Sequence, residues 1–246
     1  MKRIIFLSLA VIFSLISYSQ NDTILPEKYN RNVIKWNLTP MIWSSKNINL
    51  SYERVLKPNG SFSINAGYFV LPSTGIYDSL KIGVARNNWG FSVSGDYRFY
   101  FKKRNTNFAP DGLYWGPYSS FHYTAFENNI EVSKSDGSLG NLNLRANLSI
   151  FSAGVQLGYQ FVIKEKFTID LIFMGPSISV YSGKIGLRGD LNIDENNEYY
   201  QAIRDLLIGK FPFLDELVDK RSFSKSGVST SMGYGLRYMI QLGYRF

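Results

Sequence analysis

The chain contains no cysteine and only one histidine, His122. Without cysteine there can be no disulfide and no lipid anchor attached through a thiol. With one histidine there is also no Cys/His cluster of the kind that holds zinc. No glycine-rich loop is set before a helix to cradle phosphate. The acidic run Asp190, Asp194, Glu195 and Glu198 lacks the glycine of a helix–loop–helix calcium site and reads as a solvated face. No cofactor or metal is expected. The formal charge is +8, but the cations form no dense block, which argues against nucleic acid as a partner. Beyond the first twenty residues there is no continuous apolar run long enough for a membrane helix, about 20 residues.

At the amino terminus Lys2 and Arg3 precede the apolar run Ile4 to Ile16, followed by Ser17-Tyr18-Ser19. A basic start, a short apolar core and small residues make a secretory signal peptide over residues 1–19, with cleavage expected after Ser19. Removing Lys2 and Arg3 lowers the charge from +8 to +6 (8 − 2). About 227 residues then remain, which suits one domain. A secreted chain without a membrane helix is either a soluble periplasmic β protein or a transmembrane barrel.

The abundant residues point to the barrel. There are 17 Tyr, 18 Phe and 21 Gly, and the mean hydropathy is −0.12. A near-neutral mean is what lipid-facing and lumen-facing residues produce when they alternate. The clearest alternation is in Met232 to Phe246. Met232, Tyr234, Leu236, Tyr238, Ile240, Leu242, Tyr244 and Phe246 are all apolar or aromatic. The residues between them include Gly233, Gly235, Arg237, Gln241, Gly243 and Arg245. A period of two places one strand between two different solvents. Here the sequence resembles the last strand of small Gram-negative outer-membrane β-barrels, the eight-stranded OmpA/OmpX-like superfamily. The resemblance implies that Tyr238, Ile240, Leu242, Tyr244 and Phe246 form the signal read by the barrel-assembly machinery. Asn37-Leu38-Thr39-Pro40, Ser51-Tyr52-Glu53-Arg54 and the following Pro-Asn-Gly turn resemble a narrower family of such barrels, one that implies a fold and a location but no defined activity.

The same alternation gives the remaining strands. They are expected at 33–43, 47–56, 61–70, 89–101, 113–126, 144–163 and 167–181, with 232–246 closing the set. The expected fold is therefore all-β: an eight-stranded antiparallel transmembrane β-barrel at 33–246 with a short helical insertion in its last external loop. That loop is expected at 184–226, with the helix near 198–209, where Tyr199, Ile203, Leu206 and Leu207 share a face. Residues 20–32 read as a short polar periplasmic segment, too small for a plug domain. Asp136-Gly137 signals a hairpin that extends its strands beyond the membrane. Gly116-Pro117 and Gly175-Pro176 fall inside strands. Proline cannot donate to the ladder, so a bulge or ladder break is expected at each, or else a position above the membrane. The short turns are basic. With both chain ends periplasmic, they would be the inner turns and the long loops would face outward. The competing fold is a soluble sandwich that buries the Tyr and Phe stripe against a second sheet.

Alternation also predicts an interior polar network of Lys35, Asn37, Glu53, Asp96, Arg98, Asp170, Arg237, Gln241 and Arg245, joined by Asn65. Unpaired charges there would be costly, so pairs are expected: Lys35 with Glu53, and Asp170 with Arg245. His122 points inward, with Ser120 two positions away on the same face. This is no nucleophile–base arrangement at the lipid surface, and no enzyme is expected. The leading functional reading is a structural or surface-interaction protein that meets an extracellular protein or glycan partner through its loops and outer-membrane lipid through its wall. The alternative is a narrow passive channel for ions or small solutes. A lipid-modifying enzyme is the third reading.

Overall fold

A computed structural model describes residues 25, 29–42, 44–70, 81–82, 87–101, 105, 107–133, 139–189 and 229–246. The strands are β1 (Asn32–Asn37), β2 (Ile48–Lys57), β3 (Gly60–Phe69), β4 (Lys81–Ile82), β5 (Asn87–Tyr100), β6 (Gly112–Ser133), β7 (Leu139–Ile163), β8 (Phe167–Gly189) and β9 (Ser229–Arg245). Eight of them form a closed antiparallel ring in the order β1-β2-β3-β5-β6-β7-β8-β9, and β9 returns to β1. The two-residue β4 pairs with Ile130 and Glu131 on β6. A ring without edges satisfies the backbone where its strands overlap, and a sandwich does not. Asn32 and Phe246 exchange two backbone hydrogen bonds, of 3.1 and 2.9 Å, at the closure.

The register sets the shape. Following paired residues from Ile34 through Tyr52, Ile64, Gly95, Ser119, Ala153 and Ile178 leads to Tyr234. Ile34 itself pairs directly with Tyr244, ten residues further along β9. This stagger of ten across eight strands tilts them by about 40° and leaves an interior just wide enough for side chains.

β1 ends earlier than expected, and the reason is local. The Asn37 carboxamide oxygen accepts from the Thr39 N–H at 3.1 Å, and Pro40 has no N–H to offer a ladder. Thr39–Ile42 therefore form a 3-10 turn instead of continuing the strand. β5 begins at Asn87, two residues earlier than the pattern implied. β6 and β7 run to Ser133 and from Leu139, and β8 runs to Gly189, so residues 184–189 are strand, not loop. The signal segment, the acidic run, Asp136-Gly137 and the expected helix near 198–209 lie outside the described residues.

The two Gly-Pro pairs behave differently. At Gly116-Pro117 the β6–β7 register is unbroken, but pairing with β5 skips from Asp96–Tyr118 to Phe99–Trp115. This is a ladder gap without an extra residue. At Gly175-Pro176 a true bulge lies between Ile172 and Gly175, against both β7 and β9. The bulge reverses the phase of β8: Thr168, Asp170 and Ile172 point inward before it, and Ser177 and Ser179 after it. Phe173 and Met174 both face outward in between.

Close strand approach needs glycine at the gap. A Cβ at Gly116 would stand 1.7 Å from the Tyr97 carbonyl oxygen, whereas one at Gly95 would meet nothing nearer than 3.9 Å. Gly116→Val should destabilise the barrel by about 3 kcal/mol, and Gly95→Ala should have little effect. The check is the denaturant midpoint of each refolded variant in micelles.

Candidate functional site

The barrel interior has a closed end and a hollow end. Near the closed end three carboxylates and three cations are linked across the lumen. The Lys35 ammonium stands 2.5 Å from Glu53 and 2.6 Å from Asp170. The Arg98 guanidinium reaches Asp170 at 2.7 Å and Asp96 at 2.8 Å. Arg237 meets Asp96 more loosely, at 3.4 Å. Tyr114 donates to Asp170 at 2.6 Å, and Tyr100 donates to Glu53 at 3.0 Å. Ser61 also donates to Glu53. The Gln160 carbonyl oxygen accepts from both Lys35 and Arg98. Gln241 donates to Asn65 at 3.1 Å, and the Asn65 oxygen also accepts from Ser51. Asn37 donates to Asn49 at 3.5 Å. These side chains come from most strands of the ring, and strict alternation turns each of them inward.

Asp170 and Arg245 do not pair. Phe167 is the residue opposite Tyr244, and Asp170 lies opposite Gln241, four residues deeper than Arg245. Arg245 stays at the rim. It donates to the Asn30 carbonyl at 2.7 Å, and its guanidinium covers the Tyr29 ring at 4.2 Å. Tyr29 in turn donates to the Ala109 carbonyl at 2.5 Å. Burial raises the Tyr29 hydroxyl above its ordinary pKa, against the lowering pull of Arg245, so Tyr29 stays a neutral donor. Leu25, Val55, Tyr100, Ala109, Tyr114, Ile172 and Met239 form an apolar cluster at this end, and Tyr29 packs on it. Two residues of the amino-terminal segment and the 105–111 turn thus stopper the barrel. Sequence reasoning missed this stopper. Its only signals were one leucine and one tyrosine in a polar stretch.

The other half holds a cavity of about 600 Å³. Its inner lining is Asn37, Asn49, Ser92, Ser94, Tyr118, Ser120, His122, Ser152, Ser177, Ser179 and Arg237. His122 packs edge-on to Phe69. Ser92 is its cross-strand neighbour and accepts from Asn49 at 3.3 Å. Ser152 and Ser179 bond each other at 2.8 Å. Among the described residues no group of three or more His, Cys, Asp or Glu side chains could hold a metal.

The outer surface is apolar along every long strand. Tyr238, Ile240, Leu242, Tyr244 and Phe246 are each about half exposed. Aromatic residues cluster at two heights. Tyr97, Phe99 and Trp115 pack near the closed end, and Trp89, Phe91, Phe121 and Tyr123 pack near the hollow end. On β5 only Val93 and Gly95 face outward between them. Ten residues at 3.3 Å and a 40° tilt separate the outermost rings by about 25 Å along the barrel axis.

No protein-family model and no curated protein matches the chain. A structural likeness exists to the crystal structure of a major outer membrane protein from Thermus thermophilus. It has 10% sequence identity, covers 87% of this chain and 98% of that one, and has a TM-score of 0.35.

The interior charges are mutually dependent, and removing one orphans others. Lys35→Met should cost about 3–5 kcal/mol. Adding Glu53→Gln to Lys35→Met should recover part of that loss. Arg245→Ala should cost about 1 kcal/mol, because it breaks only the rim contacts. Urea midpoints of the refolded chains in micelles check all three.

Proposed function

We propose that this chain is an outer-membrane β-barrel with a structural or surface-interaction role exerted through the loops at its hollow end. The observation that supports the reading most is the exchange of inside and outside. Charged and amide side chains fill the interior, while Ile34, Trp36, Leu50, Ile64, Val93, Phe151, Val155 and Leu242 stand on the outer face, each close to half exposed. In water that face would be a very large sticky patch. In lipid it is the expected wall, and a closed ring is the β architecture that can span a bilayer. The height of about 25 Å between the aromatic clusters matches an outer-membrane apolar band.

In this reading the outward stripe Tyr238, Ile240, Leu242, Tyr244 and Phe246 is what the barrel-assembly machinery recognises. The end with the short turns and both chain ends faces the periplasm. The long connections face outward, where an extracellular protein or glycan can reach them. The chain acts neither as an enzyme nor as a pore. The ion-paired layer and the stopper at Leu25, Tyr29 and Ala109 occupy the lumen.

Two measurements test this. In outer-membrane fractions the unboiled chain should migrate differently from the boiled chain on a denaturing gel. Recovery as a soluble protein with no shift would overturn the reading. In planar bilayers the refolded chain should show no steady conductance steps, and reproducible single-channel openings would restore the passive-channel alternative.

A further inference from the structure

Among the described residues the ring is closed at β1 and β9 over a short stretch only. β1 has 6 residues and β9 has 17. β9 pairs with β1 only over Gln241–Arg245. The last contacts beyond that are Leu38 N–H to Ile240 C=O and Ile240 N–H to the Thr39 hydroxyl, both 2.8 Å. From Met239 back to Ser229, β9 has β8 on one side and no ladder partner on the other among the described residues. By ladder alternation the main-chain groups of Tyr238, Leu236 and Tyr234 face that open side, as those of Ile240 do.

The interior cavity reaches the outer surface at this gap. Besides its polar inner lining it touches Ile48 and Tyr68 on one margin and Tyr234, Leu236 and Tyr238 on the other. These five side chains point outward, and Tyr234 is 94% and Leu236 70% exposed. The gap lies between the two aromatic heights, at the depth of the apolar wall. Behind it the cavity lining contains Arg237, His122 and many hydroxyls, and among the described residues no aspartate or glutamate. Arg237 is nine-tenths buried, stacked on Tyr118 at 4.7 Å, and held at 3.4 Å or more by Asp96 and Ser94. Its Nη1 is buried without a hydrogen-bond partner.

We propose that this slot admits a single-chain anionic amphiphile sideways from the bilayer. Its carboxylate or phosphate head sits on Arg237 among Ser94, Ser120 and Ser177, and its acyl chain lies along Leu236, Tyr238 and Ile48. The chemistry suits each part. A buried guanidinium with a free donor favours an oxyanion. Hydroxyl side chains and the edge of β9 that no described residue pairs solvate the polar neck, which hydrocarbon would leave unsatisfied. The apolar margins continue directly into lipid. The inference rests on the membrane-barrel reading.

The test uses the full-length chain folded into phosphatidylcholine nanodiscs and a diazirine-bearing dodecanoate, with labelled residues mapped by mass spectrometry. Labelling should be saturable and concentrated on Ile48, Tyr68 and Tyr234–Tyr238. Unlabelled dodecanoate or dodecyl phosphate should compete at least about tenfold better than dodecanol, and Arg237→Gln should weaken labelling about tenfold. Arg237→Lys, which keeps the charge but loses the stacked fork, should weaken labelling less than Arg237→Gln does. Labelling spread evenly around the wall, or equal competition by dodecanol, would overturn the proposal. So would competition by acetate or inorganic phosphate as strong as that by dodecanoate. Labelling seen only after residues 192–226 are deleted would assign the slot to the chain's own segment and overturn it too. Failure to enter nanodiscs with a heat-modifiable band would instead count against the membrane barrel itself.

Discussion

The barrel depends on the mutual neutralisation of Lys35, Arg98 and Arg237 by Glu53, Asp96 and Asp170. Each of these groups alone inside a ring of strands would carry a large desolvation cost. Together they cross-link strands that are far apart in the chain, since Lys35 and Asp170 are separated by 135 positions. If the outer face lies in lipid, as proposed, it contributes no comparable force, and specificity of closure has to come from within. A polar layer of this kind accepts one register, because a slip of one residue would turn every charge outward.

The two halves of the interior follow from the same strands. Toward the closed end the inward positions carry long charged, amide or aromatic side chains such as Arg98, Tyr100, Tyr114 and Gln160, and they fill the section. Toward the hollow end they carry Ser92, Ser94, Ser120, Ser152, Ser177 and Ser179, which leave the section partly empty. The bulge beside Gly175 lies at the change from one to the other. Without its extra residue, Ser177 and Ser179 would face outward and Ile178 would occupy the cavity.

Much of this architecture could be read from residue alternation. Tyr238, Ile240, Leu242 and Tyr244 declare an outward face, and Lys35, Glu53, Asp96 and Arg98 an inward one, because in a strand the face is fixed by parity alone. Depth is not encoded that way. Arg245 and Asp170 share a side of the wall, but their separation along the barrel depends on the stagger of β8 against β9, so their pairing could not be judged from the chain. The ends of β6, β7 and β8 were hidden for a related reason. Alternation continues through Asn141, Leu142, Asn143, Leu144 and Arg145 without a break, and parity alone does not mark where a strand ends. The Gly-Pro pairs announced irregularity, but only the register against both neighbours distinguishes the gap at Pro117 from the bulge before Pro176. β1 stopped early through the Asn37 side chain, a local competition that alternation cannot register.

In the membrane-barrel reading β9 stands with one face in lipid and the other in a polar interior. The absence of cysteine makes this directly measurable, because single cysteines placed at consecutive positions from 236 to 245 can be spin-labelled without background. In reconstituted bilayers the accessibility of each label to oxygen, which concentrates in lipid, is compared with its accessibility to a water-soluble nickel chelate. A period of two is expected, with oxygen favoured at positions 236, 238, 240, 242 and 244 and disfavoured between them. Protection of the even positions from both reagents, as in a buried sandwich core, would contradict it.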